Sequence, residues 1–455
     1  MKVRQICMMV LLWLGVIPAV QAQTFDKLWK EVEQAEKKSL PKTVIKLTDE
    51  IYQKGEKERN SAQMLKAYMW RMKTQDILTP DSFYVGLRDL EQWAKQTKQP
   101  MDRAILHSLI AEFYANYAAD NQWQLRQRTE IVGETPSADI REWTANMFVE
   151  KVRTNVKEAL ADSLLLLKTS SRNYIPFVEL GETSEYYHHD MYHLLASRAI
   201  RALNQIERLE RGSFNGITAS PVKQDIINIY ERMTDAYETA GLKEGYVLTM
   251  LQYLEWKRDN DNKLQPVQLK KGLGEWTADT YNAALDELKR QFKSEPICAE
   301  VYLAQVRYAV EKMQQVNALQ LCDEAIRLYP GYRRINALKN LREEILAPFL
   351  NVSAVSQAFP NEEIKLNVGH KNLDGFTVRL YQAKKLVKEQ HYSVLRPKDY
   401  RAKDTVFTFK APDLGTYVMR IIPDIRAKRD SESKFNVTRF KVLTCRLPEN
   451  QYEVV

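Results

Sequence analysis

LREEILAPFLNVSAVSQAFPNEEIKLNVGH, residues Leu341 to His370, contains a change of period. Up to Leu346 the apolar residues recur at helical spacing, and Pro348 cannot continue a helix. From Ile364 they alternate, with Ile364, Leu366 and Val368 on one face. Everything upstream to Thr24 is written in helical periods and everything downstream in strands. Helices grouped before strands predict separate α and β domains rather than interleaved βαβ units, so no cofactor-binding α/β sheet is expected. The expected boundary lies within Ala347 to Ala358: an α-helical arm over residues 23–349 and a β-sandwich over 350–446.

Upstream, Phe25 to Ala35 predicts one amphipathic helix. Pro41 opens a second at its N1 position, with Val44, Leu47, Thr48 and Ile51 on one face and Gly55 as its expected end. Ser61 to Lys73 predicts a third. Leu106, Leu109, Ile110, Phe113, Tyr114 and Tyr117 make a wide stripe, and Ile226, Ile229, Tyr230, Met233 and Tyr237 another, closed by Gly241 at a C′ position. Between Pro296 and Pro330, Tyr302, Val306 and Ala309 face Ala318, Cys322 and Ala325. Small residues at a helix-pair contact followed by proline resemble a tetratricopeptide unit, with Gln305 at a usually apolar position and a longer link at Met313 to Val316. The arm is therefore expected to be a tetratricopeptide-like α-solenoid or helical bundle. Tyr174 to Tyr187, Ser213 to Pro221 and Asn260 to Gln268 read as surface breaks.

Downstream, Phe376, Val378 and Leu380 alternate after an Asn372-Leu-Asp-Gly375 turn, which predicts a hairpin with Ile364 to Val368. Phe407 and Phe409, then Tyr417, Met419 and Ile421, then Phe435 and Val437 continue the pattern, with a phase slip before Phe440. This many strands in so short a segment fit an immunoglobulin-like sandwich.

The first residues carry Lys2 and Arg4, an apolar run from Ile6 to Val20 and a small-residue site at Ala22. That is a secretory signal peptide over residues 1–22, too short to span a bilayer, and implies a periplasmic or secreted protein without a transmembrane segment. Its removal takes Cys7 away and leaves Cys298, Cys322 and Cys445, at most one disulfide, so stability must come from packing. Seven of the eight net positive charges fall after Leu350, which has nineteen Lys and Arg against twelve Asp and Glu. The basic, aromatic-bearing stretches Tyr392 to Lys403 and Arg426 to Lys434 suit an acidic envelope polymer, or are solvated strand faces. Export argues against nucleic acid.

The sharpest candidate for chemistry is Glu185-Tyr-Tyr-His188-His189-Asp190-Met-Tyr-His193. On a helix, His189 and His193 would be i and i+4 neighbours with Glu185 one turn earlier, a spacing able to hold zinc. No Glu follows the first His and no fourth ligand is evident, so a polar helix start is the plainer reading and no metal or cofactor is expected. There is no Gly-x-Ser-x-Gly and no phosphate loop, Cys298 and Cys322 fall on apolar helix faces, and Glu343-Glu344 reads as a solvated helix end. The chain is not expected to be an enzyme.

The strand pair Glu363 to Val368 and Phe376 to Tyr381, the Pro412-Asp-Leu-Gly-Thr-Tyr417 entry into a strand, and Phe435 to Leu443 resemble the first macroglobulin domain of bacterial alpha-2-macroglobulin-like proteins. Thr24 to Gly55 and Glu142 to His193 are similar to the helical N-terminal region of such proteins from the Bacteroides group. The resemblance implies an endopeptidase inhibitor of the cell envelope that traps proteases, many members using a thioester built on Cys-Gly-Glu-Gln. Here Cys298 is followed by Ala, Cys322 by Asp and Cys445 by Arg, so that motif is absent. Family members are longer, and residues 447–455 are expected to start a further, truncated strand or domain. The alternative is an envelope scaffold whose solenoid groove binds a protein or peptide while its basic β module touches acidic polymer. A metalloenzyme using the His188 to His193 region is a third.

Overall fold

The computed structural model describes residues 25–79, 83–129, 137–181, 189–210, 220–260, 280–424 and 431–437. The expected leader, Glu185, His188, Cys445, the phase slip before Phe440 and the terminal strand lie outside the described residues, as do most of the Ser213 to Pro221 and Asn260 to Gln268 breaks. Helices precede strands, and no described helix is long and apolar enough to cross a membrane. Helix gives way to strand between Leu346 and Phe349, but the chain divides into two compact units earlier, between Ala284 and Leu285.

In the first unit, α1 (25–37) and α2 (Pro41–Glu58) share a core of Phe25, Trp29, Val32, Val44 and Ile51. The expected end of α2 at Gly55 is overturned: the helix runs on to Glu58 and stops at Arg59, whose φ is 54°. Gly55 instead admits the next helix, α3 (Ser61–Leu78), since a Cβ there would lie 2.9 Å from Met64 Cγ. Then come α4 (Phe83–Gln96), α5 (Pro100–Asp120), α6 (Gln122–Gln127), α7 (Ala145–Ala159), α8 (Ser163–Lys168), α9 (Met191–Glu207), α10 (Pro221–Thr239) and α11 (Lys243–Asn260). Helix α5 packs against α4, α7 and α9, which is why Leu106, Leu109, Ile110 and Tyr114 are all buried. Gly241, at φ 68°, ends α10: its N–H donates to Glu238 O and that of Leu242 to Tyr237 O, the paired bonds of a Schellman cap.

In the second unit, the end of α12 (Tyr281–Phe292) leads to α13 (Cys298–Glu311), α14 (Gln315–Leu328) and α15 (Ile335–Leu346). Ala318, Cys322 and Ala325 are fully buried against α13. The link between α13 and α14 is tighter than its sequence suggests, because Met313 takes φ 58° and the N–H of Gln314 reaches back to Ala309 O. Gln305 is buried, and donates from Nε2 to Asp286 Oδ1 of α12 at 2.6 Å.

The strands are β1 (Phe349–Ala354), β2 (Gln357–Ala358), β3 (Glu363–Lys371), β4 (Gly375–Gln382), β5 (Lys385–Ser393), β6 (Lys403–Lys410), β7 (Gly415–Pro423) and β8 (Ser431–Val437). They form two sheets, ordered β1-β3-β6 and β2-β8-β7-β4-β5, antiparallel except for β2 beside β8. Ile364, Leu366, Val368 and Phe409 from the first sheet and Phe376, Val378, Leu380, Tyr417 and Met419 from the second share one core. The expected β3–β4 hairpin does not form. Asn372 to Asp374 carry the chain from one sheet to the other, with Leu373 buried at the crossing. Asn372 sits at φ 56°, and its side-chain amide donates to the carbonyls of Ile345 (2.8 Å) and Ala347 (3.2 Å) at the end of α15, while Lys371 Nζ donates to Glu344 O. These groups satisfy orphan carbonyls of the last helix turn and bind it to the sandwich. That is a physical reason for α15 to share a compact unit with the strands.

His370, one residue before the crossing, is buried at 2% exposure. Its Nε2 lies 3.2 Å from Thr405 Oγ1 and its Nδ1 has no partner among the described residues. Burial, then the charge of Lys403, lowers its pKa, with Asp404 opposing.

Two outcomes follow from this junction. Asn372→Gly keeps the backbone conformation but removes both carbonyl bonds, so the full chain should lose about 1–3 kcal/mol in urea unfolding, and Asn372→Ala about 1 kcal/mol more from strain. For His370, folded and unfolded forms are both neutral above about pH 6.5. As pH falls below that value the unfolded chain takes a proton the folded chain refuses, so stability falls until the lowered folded pKa is passed. His370→Gln should reduce the difference in urea midpoint between about pH 7.5 and about pH 5.5; an unchanged difference would show that His370 does not titrate this way.

Candidate functional site

Two carboxylates buried at helix starts hold in place elements that line a cleft of the first unit. Asp102, in the first turn of α5, accepts from Ser61 Oγ at 2.5 Å and Tyr174 OH at 2.9 Å. Asp190 caps α9 by accepting from the His193 N–H at 2.7 Å, and takes Tyr237 OH at 3.0 Å. A helix N-terminus favours negative charge at both places. Burial and the adjacent carboxylates push both tyrosine hydroxyls far up, so they remain donors at any ordinary pH.

These bonds fix the stretch that reads in sequence as a surface break. Ser171 N and Oγ both donate to His189 O, and Met191 N donates to Thr169 O, which ties the two ends of the excursion together. Tyr174 is correspondingly buried rather than on the surface, because its hydroxyl reaches Asp102. Beyond it, Pro176, Phe177, Val178 and Glu179 form one wall of a cleft of about 340 Å³. Lys66, Met69 and Trp70 of α3, Ile105, Ser108 and Leu109 of α5, and Met191, Leu194, Leu195 and Arg198 of α9 form the others. Met69 also lines a neighbouring cavity of about 140 Å³ with Met72 and Phe113.

The lining is apolar, with a few polar exceptions. Lys66 Nζ lies over the rings of Trp29 (4.6 Å) and Trp70 (5.7 Å) and makes no ion pair among the described residues, whereas Arg198 is paired with Glu112. Trp70 Nε1 and Ser108 Oγ are buried with no hydrogen-bond partner among the described residues. Unpaired buried groups of this kind each cost about 1–3 kcal/mol and call for an explanation. A mostly apolar cleft with a few convergent polar groups is suited to binding.

The candidates read from sequence fall elsewhere or apart. His189 precedes the cap of α9 and so lies outside the helix, its Nε2 2.9 Å from an Arg172 guanidinium nitrogen, while His193 is in the first turn. The one-face i, i+4 arrangement therefore does not form. Among the described residues no group of three or more His, Cys, Asp or Glu side chains is placed to hold a metal ion. Cys298 and Cys322 are free and buried, and burial pushes both thiols up, Cys322 to about 11, which suppresses the reactive thiolate. Of the basic stretch Tyr392 to Lys403, Tyr392 belongs to the core, its ring stacked 5.1 Å from that of Phe376, and Arg396 pairs with Asp374. Lys66, Trp70, Asp102 and Ser108 belong to no motif, and only the spacing of the helices brings them together.

No family model matches the chain, and no curated protein matches it.

The wall of the cleft should depend on Tyr174. Tyr174→Phe removes one of the two side-chain donors to buried Asp102 and should lower stability by about 1–3 kcal/mol in urea unfolding. A change near zero would show that the Asp102 bond does not hold the wall.

Proposed function

We propose that the chain is a non-enzymatic, exported binding protein: the tetratricopeptide-like arm and first macroglobulin-type, immunoglobulin-like sandwich of an alpha-2-macroglobulin-like endopeptidase inhibitor, with a protease or other protein as partner. The observation that carries this reading is the β module. Its first strand is split between the sheets, β1 on β3 and β2 on β8, and its chain switches sheets between β3 and β4. Tyr417, two residues into β7, donates its hydroxyl back to Asp413 O at 2.8 Å, the bond of a tyrosine corner. In support of the arm, α13, α14 and α15 pack in succession with α13 also touching α15, and the small residues Ala318 and Ala325 lie at the pair contact. The buried thiols and the missing Cys-Gly-Glu-Gln favour binding over covalent capture by this chain.

A second reading, an envelope scaffold that holds a peptide in the helical arm, is favoured by the cleft at Lys66, Trp70 and Ser108. The acidic polymer proposed for the β module rests on its charge alone.

Expression in a Bacteroides-type host tests the first reading. The mature protein should be recovered from the periplasm or medium with Gln23 at its N-terminus, and incubation with labelled methylamine should leave it unlabelled. Retention in the cytoplasm with an intact leader, or amine uptake at Cys298, Cys322 or Cys445, would sink it.

A further inference from the structure

We propose that Lys388 and Tyr392 of β5 form a latch over the outer edge of β6, and that the edge they cover is a self-pairing surface that fits β6 of a second copy of this chain. Neither reading above requires such a surface.

Strand β6 ends the three-stranded sheet, and among the described strands it pairs only with β3. Just beyond the ladder the Ala411 N–H donates to Glu362 O at 2.8 Å, which fixes the phase of the backbone bonds. Phe407 and Phe409 therefore turn their backbone groups toward β3, whereas Asp404, Val406, Thr408 and Lys410 turn theirs to the open side. A row of outward groups is a template for another strand. Every residue from Thr405 to Phe409 is β-branched or aromatic, with no charge and no proline, the composition that pairs most readily.

Two side chains from the edge strand of the other sheet occupy part of that row. Tyr392 OH donates to Thr408 O at 2.8 Å, and Lys388 Nζ donates to Lys410 O at 2.5 Å while lying 4.5 Å from the centre of the Phe409 ring. Tyr392 is held in place by its stacking on Phe376. Lys388 lies on the same face of β5 as Tyr392, so it is an inward-pointing charge on an edge strand, which also discourages pairing along β5.

Charge identifies the occupant. Two β6 strands laid antiparallel about Phe407 bring Asp404 of each copy opposite Lys410 of the other, and Val406 opposite Thr408. All four are outward-turned positions, so the backbone groups match and two-fold symmetry places an ion pair at each end. In that register the carbonyls of Thr408 and Lys410 accept from the N–H groups of Val406 and Asp404 of the second copy. These are the two carbonyls the latch already holds, so latch and dimer exclude one another.

Analytical ultracentrifugation of the full mature chain tests this. Wild type should sediment as a monomer. Lys388→Met combined with Tyr392→Phe keeps the aliphatic stem and the ring but removes both donors, and should tighten self-association at least about tenfold, the worth of one to two hydrogen bonds that no longer compete. Lys388→Met alone, which leaves the core ring untouched, should act in the same direction. Adding Val406→Pro to the double variant should restore the monomer, because it deletes an outward N–H and spares the bonds to β3. Adding Asp404→Lys should also restore it, and Asp404→Lys together with Lys410→Asp should bring the dimer back. Circular dichroism and thermal unfolding establish that each variant is folded. Folded latch variants as monomeric as wild type, a wild type that associates as tightly as they do, or a dimer indifferent to Val406→Pro and Asp404→Lys would overturn the inference.

Discussion

A carboxylate buried at the start of a helix can only be tolerated if hydrogen-bond donors surround it, and Asp102 and Asp190 meet that condition with donors drawn from distant parts of the chain. Ser61, Tyr174 and Tyr237 come from three different elements. Together these bonds fix the position of α3, of the start of the excursion after Thr169, and of α10 relative to α5 and α9. The cleft is what remains between elements pinned in this way. Its shape depends on polar bonds, although most of its surface is apolar.

The second unit meets a related requirement with neutral groups. The last carbonyls of α15 have no partner within the helix, and Asn372 supplies an amide from the turn where the chain changes sheets. Two demands coincide on this residue: a backbone conformation that asparagine tolerates better than most side chains, and donors for a helix end. The sheet switch and the attachment of the helix are one local solution, and His370 beside it is the buried titratable group set close to that solution.

Periodicity made the helices and strands legible because each side of an element is either buried or wet. The alternation of Ile364, Leu366 and Val368 and the stripe through Ile226, Tyr230 and Tyr237 appear in the structure as buried faces. Punctuation was less readable. Gly241 ends a helix because it takes φ 68°, whereas Gly55 stays helical and lets Met64 of the next helix approach, a difference the residue type alone does not reveal. Asn-Leu-Asp-Gly could be identified as a turn, but whether a turn pairs its flanking strands depends on which sheet each strand joins. The cleft was legible least of all. Lys66, Ser108, Tyr174 and Arg198 lie far apart in sequence, and the local pattern around Tyr174 is that of a loop because its anchor, Asp102, is remote.

The split of the first strand has a mechanical meaning. Only Ala347 and Pro348 separate α15 from β1, so tension drawn along the helix passes into β1 and β2 almost at once. Tension on the chain beyond Val437 leaves through β8, which runs parallel to β2 and pairs with it at Gln357 and Ala358. Two parallel neighbours pulled from opposite ends slide along one another, and their backbone bonds are loaded together rather than opened one after another. The sandwich thus places its first and last described strands in shear, and a chain pulled from both ends would meet resistance there before either sheet could unravel.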